Sequence, residues 1–228
     1  MKRIVPALLA VCLPLVLRAE DPTQRLNTAA TVISEVMSAP DKGIPTNLLA
    51  RAHCIVVVPG VKQAAFVGGG KYGKGFFSCR RGADWTAPAS VRIEGGSVGF
   101  QIGLLETDLV LLVMNAKGEK RLLSSRFTLG GAAEVAGGPV GRSSTAQTDA
   151  SFRTEMLSYS RARGAFAGVS LSGATLRQDV DDNAEIFGRP LTNKEIMGRD
   201  VAWPASGSEL HSVLNRYASH ARRMKHPS

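Results

Sequence analysis

The chain has 228 residues, of which 44% are hydrophobic and 21% charged, with a formal charge of +9. That length suits one domain with a sizeable core. No solenoid-type repeat, low-complexity linker or clear second domain interrupts it, and the basic balance favours an anionic partner.

Residues 1–19 read as a secretory signal: Lys2 and Arg3, an apolar run from Ile4 to Leu17, and the small Ala19 before Glu20-Asp21-Pro22. Pro6 and Pro14 make the run too short and broken for a spanning helix. The expected product is an exported protein, periplasmic or extracellular and peripherally membrane-associated. Loss of Lys2, Arg3 and Arg18 lowers its formal charge from +9 to +6. Residues 23–38 place Leu26, Ala29, Ala30, Ile33, Val36 and Met37 on one helical face. Core packing is the first use of that face; entry into a membrane interface is the alternative. Thr46 to Ala52 predicts a second, short helix.

A β-rich middle follows. Cys54 to Val58 is a β-branched strand stopped by Pro59-Gly60; Val61 to Gly69 and Lys74 to Arg80 are the next two strands. Ser90 to Gly103, Asp108 to Met114 and Phe152 to Ser160 continue the series, with a short helix or turn around Glu119 to Ser124. Helices return at Gln178 to Phe187, Thr192 to Met197 and Ser206 to Arg223. Helices bracketing strands define an α+β domain. Its centre is a curved, mainly antiparallel, glycine-rich β core, barrel- or sandwich-like, with the terminal helices packed around it. The parts are a signal at 1–19, a domain over 20–200, and a C-terminal helix with a basic tail over 201–228.

Gly68 and Gly73-Lys74 imitate a phosphate loop, but Gly75 stands where Ser or Thr must hold Mg²⁺. A strand follows instead of the helix that would grip phosphates. The glycines from Gly68 to Gly75 therefore predict a tightly curved hairpin. Lys71, Lys74, Arg80 and Arg81 surround it and form the candidate phosphate-contacting set, with a solvated hairpin face as the alternative.

No nucleophile elbow or His-Glu-x-x-His motif is present, so no catalytic residues are assigned and no cofactor is expected. Two cysteines and four scattered histidines lack zinc spacing, so no metal is assigned either. Cys54 and Cys79 lie in strands of an exported chain; a disulfide and a pair of buried thiols are both open. Asp179, Asp181 and Asp182 fit the acidic start of a helix better than a calcium loop.

The ordered blocks "ARAHCIVVVPGV", "GGGKYGKGFFSCR", "DWTAPASVRIEGGSVGFQIG", "DLVLLVMN", "LGGAAEVAGGPVGR" and "LSYSRARGAFAGVSLSGATL" resemble the SYLF domain family across residues 26–198. The resemblance implies a non-enzymatic module that binds membrane lipids, phosphatidylinositol lipids in eukaryotic members. In some fungal members, under the name of a yeast-type actin-binding domain, it binds actin. Ile186-Phe187-Gly188 stands where many members carry Tyr-Tyr-Gly. For an exported chain the expected partner is an anionic phospholipid surface, not nucleic acid and not actin. An envelope structural or protein-interaction role is the alternative.

Overall fold

The computed structural model describes residues 21–39, 43–65, 68–98, 103–130, 135–139, 154–162, 165–166, 171, 173–198 and 200–225. The signal-like segment, the glycine run at 99–103 as far as residue 102, and most of the small-residue runs at 131–153 and 163–170 lie outside the described residues.

Two helices open the described chain, α1 (Pro22–Ser38) and α2 (Thr46–Arg51). Asp21 caps α1 by accepting a hydrogen bond from the Thr23 amide at 2.8 Å, and Pro22 takes the first helical position, where no amide is needed. Among the described residues ten strands follow, all before the last three helices: β1 (Cys54–Ala65), β2 (Gly68–Arg81), β3 (Asp84–Trp85), β4 (Ala89–Val98), β5 (Gly103–Val113), β6 (Arg126–Thr128), β7 (Val135–Gly137), β8 (Met156–Ala162), β9 (Ala165–Phe166) and β10 (Thr175–Gln178). Helix α3 (Ala116–Leu122) separates β5 from β6. Helices α4 (Val180–Phe187), α5 (Asn193–Gly198) and α6 (Ser208–Lys225) close the described chain.

The strands form one curled sheet in the order β6-β10-β4-β2-β1-β5-β8-β7, with β3 added to β2 and β9 to β8. All pairings are antiparallel except β7 with β8. The fold is therefore α+β with a curved, mainly antiparallel core between terminal helices.

The long apolar runs of the central strands follow from burial on both faces. Cys54, Val56 and Val58 of β1, with Leu109, Leu111 and Val113 of β5, face the concave side. There they meet Phe77, Val91, Ile93, Phe127, Leu176 and Met197. Ile55, Val57, Val110 and Leu112 face the other way, onto Leu26, Ile33, Leu48, Leu49, Leu210 and Leu214 of α1, α2 and α6. The apolar face of α1 is thus core: Leu26, Ala29, Ala30 and Ile33 are fully buried. Among the described residues, no helix is long and apolar enough to cross a membrane.

The glycine-rich stretch differs from its expected form. Gly68 to Gly75 is not a hairpin bend; it lies inside β2, which pairs antiparallel with β1 from Ala65 opposite Gly69 onward. Pro59-Gly60 does not stop β1 but forms a bulge within it, where the register shifts against both neighbours. Gly60 adopts φ +55°, and its amide donates to Asp108 Oδ1 at 3.0 Å. Such a bulge adds a residue to one strand and bends it. The bent backbone presses onto Gly75, where a Cβ would lie 2.0 Å from the Val57 carbonyl oxygen and 2.7 Å from Val58 Cα. The glycine is required by contact between backbones, not by a turn.

Candidate anion-binding cleft

The cations expected around the glycine stretch do not share a surface. Lys71 and Lys74 are three positions apart in a continuous strand, so they point to opposite faces. Lys71 is on the concave side, 6% exposed, and burial lowers its ammonium pKa. Lys74 is on the helix-covered side, held between Asp179 Oδ2 at 2.9 Å and Asp182 Oδ1 at 2.8 Å. Burial alone would lower the Lys74 pKa, but hydrogen bonds to Asp182 and Asp179 overcome it and raise the value.

Asp179 caps α4, accepting from the Asp182 amide at 3.3 Å, and Asp182 also meets buried Arg25 of α1 at 2.6 Å. The acids read as a helix start do start a helix, and they also tie α1, β2 and α4 together. Arg80 lies over the Trp85 ring at 4.3 Å and donates to the carbonyls of Leu49 at 3.0 Å and Ala52 at 3.3 Å. Arg81 is half-exposed and reaches Glu119 Oε1 and the Met197 carbonyl, both at 3.2 Å. Lys74, Arg80 and Arg81 therefore hold structure together, and Lys71 is buried on the opposite face from Lys74.

Cys54 and Cys79 occupy directly opposed positions of β1 and β2 and are joined by a disulfide. Both are fully buried on the concave side. His53, next to Cys54, places Nδ1 3.2 Å from Glu119 Oε2.

A different set of cations gathers at the sheet edge. Asn115 caps α3, its side chain accepting from the Gly118 amide at 3.0 Å. Gly118 lets the helix lie against the sheet, since a Cβ there would meet Val113 Cγ1 at 2.7 Å and the Glu155 carbonyl oxygen at 2.9 Å. The helix then presents Lys117, Lys120 and Arg121, at i, i+3 and i+4, along one side. They face edge strand β6, which contributes Arg126 and Thr128. With Ser124 and Phe127 these residues line an open cleft of about 510 Å³.

Buried Glu155 organises two of the four cations, meeting Lys117 Nζ at 2.5 Å and Arg121 Nε at 2.6 Å. Burial alone would raise its pKa, but these bonds hold the carboxyl below the usual range. Lys120 and Arg126 are exposed, and among the described residues neither has an ion pair. Four cations against one carboxylate, two hydroxyls and one aromatic make a surface suited to phosphate or carboxylate groups. Sequence reading missed it, although Lys117, Lys120 and Arg121 carry the helical spacing that could have found it.

The architecture is a curled sheet packed against terminal helices, with a basic cleft at one edge. Residues 94–217 match the family described as "Ysc84: Las17-binding protein actin regulator". The chain is 36% identical over 177 residues to the SH3 domain-containing protein PJ696.02 of Schizosaccharomyces pombe, covering 75% of this chain and 41% of that protein. It is 31% identical over 191 residues to protein YSC84 of Saccharomyces cerevisiae, covering 82% and 40%. It is 30% identical over 182 residues to the human SH3 domain-containing YSC84-like protein 1, covering 79% and 53%. The chain belongs to the Ysc84 family, whose domain is the SYLF domain. It spans about half the length of the curated relatives it matches.

Proposed function

We propose that this protein is a non-catalytic module that binds anionic phospholipid headgroups at a membrane surface, through the cleft between α3 and β6. The observation that carries the reading is the exposed pair Lys120 and Arg126, held beside Lys117 and Arg121 without an acidic partner of their own among the described residues. Headgroup phosphates would sit between α3 and β6, with the Thr128 hydroxyl able to donate to their oxygens; the Ser124 hydroxyl is spent on the Arg121 carbonyl at 2.6 Å. The absence of a recognised nucleophile–base set in the sequence supports a binding role over catalysis.

Export belongs to the same proposal. The segment at 1–19 has signal-peptide layout, and the Cys54–Cys79 disulfide suits an oxidising compartment. Sequencing the N-terminus of protein from the host envelope should find a start near Glu20; Met1 retained on cytoplasmic protein contradicts export.

The family description supports a second reading, in which the cleft meets an acidic protein surface. Co-sedimentation separates the two. Vesicles of phosphatidylcholine with phosphatidylglycerol should bring down the protein at low salt, whereas phosphatidylcholine alone should not. Binding to actin filaments but to neither vesicle would favour the protein partner.

A further inference from the structure

The disulfide has a third group beside it. The Sγ atoms of Cys54 and Cys79 and a carboxylate oxygen of Glu119 all lie within 4.8 Å of one another. These donors come from three elements, β1, β2 and α3, so the fold rather than local spacing assembles them. Around one Zn²⁺, with bonds of about 2.3 Å to sulfur and about 2.0–2.2 Å to oxygen, three such donors stand roughly 3.3–3.8 Å apart. A modest parting of the two sulfurs reaches that arrangement.

The surroundings also suit an ion. Both cysteines are fully buried, while the Glu119 side chain is 21% exposed and gives a path from solvent. His53 Nδ1 lies beside Glu119 Oε2, as an outer group that orients a ligating carboxylate. Arg81 on Oε1 is half-exposed and can release that oxygen. Two thiolates with one carboxylate favour Zn²⁺ over the hard ions Mg²⁺ and Ca²⁺.

We propose that Cys54, Cys79 and Glu119 bind one Zn²⁺-class ion when the disulfide is reduced, so that metal and disulfide are alternative cross-links between β1 and β2. The chemistry balances in two steps. A dithiol reductant gives two electrons and two protons to the disulfide and becomes a disulfide itself. Zn²⁺ then displaces one proton from each thiol, and the Glu119 carboxylate and water complete its coordination. A chain that has not yet closed its disulfide would present this same site.

The test titrates Co²⁺ into the protein reduced with a phosphine, beside the oxidised protein. The reduced protein should bind one Co²⁺ per chain with a thiolate-to-metal charge-transfer band, and Zn²⁺ should abolish that band. The oxidised protein should show none. Cys79→Ser should remove the band, His53→Ala should weaken binding about tenfold, and Glu119→Gln should weaken it at least as much. A reduced, folded protein without the band overturns the proposal. So does unchanged affinity in Glu119→Gln, which would mean that the thiols alone capture metal. If reduction unfolds the chain, recovery of native circular dichroism on adding Zn²⁺ supports the site, and failure to recover overturns it.

Discussion

Two sets of basic residues in this chain have similar charge and opposite fates. Lys71, Lys74, Arg80 and Arg81 are the conspicuous ones, set among glycines and aromatics; Lys71 is buried, and the fold engages the other three. Lys74 is locked to Asp179 and Asp182, Arg80 is laid over Trp85, and Arg81 is bonded to Glu119. Lys117, Lys120, Arg121 and Arg126 are less conspicuous. Only two of them meet Glu155, and the remainder of their charge faces solvent. A cation inside a sheet covered on both faces must find a partner, because an unpaired buried charge is too costly. A cation on a short helix at the sheet edge is under no such demand and stays available to a ligand. Charge density in the sequence is therefore a weaker guide to a binding surface than the layer in which the charge lies.

That contrast can be broken most severely at its buried end. Replacing Asp182 by Ala removes the carboxylate shared by Arg25 and Lys74, whose pairing distances are 2.6 and 2.8 Å. Breaking such a buried pair costs about 3–5 kcal/mol. Urea denaturation should show a loss of that size; a loss under about 1 kcal/mol would mean that the network behaves as a surface pair. Opening the disulfide should cost nearly as much. Cys54 and Cys79 are 25 positions apart, and closing a loop of that length stabilises by about 3.5 kcal/mol in the chain-entropy account. The Cys54→Ser/Cys79→Ser variant, unfolded in metal-free buffer, measures it.

A smaller effect separates two glycines. Gly75→Ala places a methyl group against the Val57 carbonyl and should cost about 1–3 kcal/mol or more. Gly70→Ala meets nothing within 4 Å and should stay within about 0.5 kcal/mol of wild type. Equal costs at the two positions would contradict the account of the β1 bulge.

The smallest effect is the acid response of the cleft. Glu155 has a folded pKa below its unfolded value, so its contribution is complete above the ordinary carboxylate range. It is lost as pH falls through the depressed folded value. Between pH 5 and the folded pKa, wild type should lose more stability than Glu155→Gln. Parallel acid limbs would remove Glu155 from its organising role.

Much of the fold was legible in the sequence because burial on both faces leaves a plain signal. Cys54 to Val58 and Leu109 to Met114 are uninterrupted apolar runs, and the helices at Gln178 to Phe187 and Ser206 to Arg223 carry helical periodicity. The strand series was harder to bound. Pro59-Gly60 has the composition of a turn, and only the Gly60 amide bond to Asp108, 48 positions away, makes it a bulge. Strands β6 and β7, three residues each, are too short to show any period. The misplacement of the cationic patch was avoidable in part. Two-residue alternation already puts Lys71 and Lys74 on opposite faces of a continuous strand, but the expected hairpin bend concealed that continuity. The cleft itself depends on bringing β6 opposite α3, which no local pattern contains.

The most direct measurement pairs two variants in one experiment, with vesicle co-sedimentation and urea denaturation read for each. Lys120→Glu/Arg126→Glu should keep its stability within about 0.5 kcal/mol. Its affinity for phosphatidylglycerol vesicles should fall about 30-fold, from roughly 1 kcal/mol per cation near an anionic surface. Lys74→Ala should do the reverse, losing stability while the folded fraction binds like wild type. If Lys120→Glu/Arg126→Glu binds anionic vesicles as tightly as wild type, or Lys74→Ala loses binding while remaining fully folded, the division between structural and ligand-facing cations is wrong.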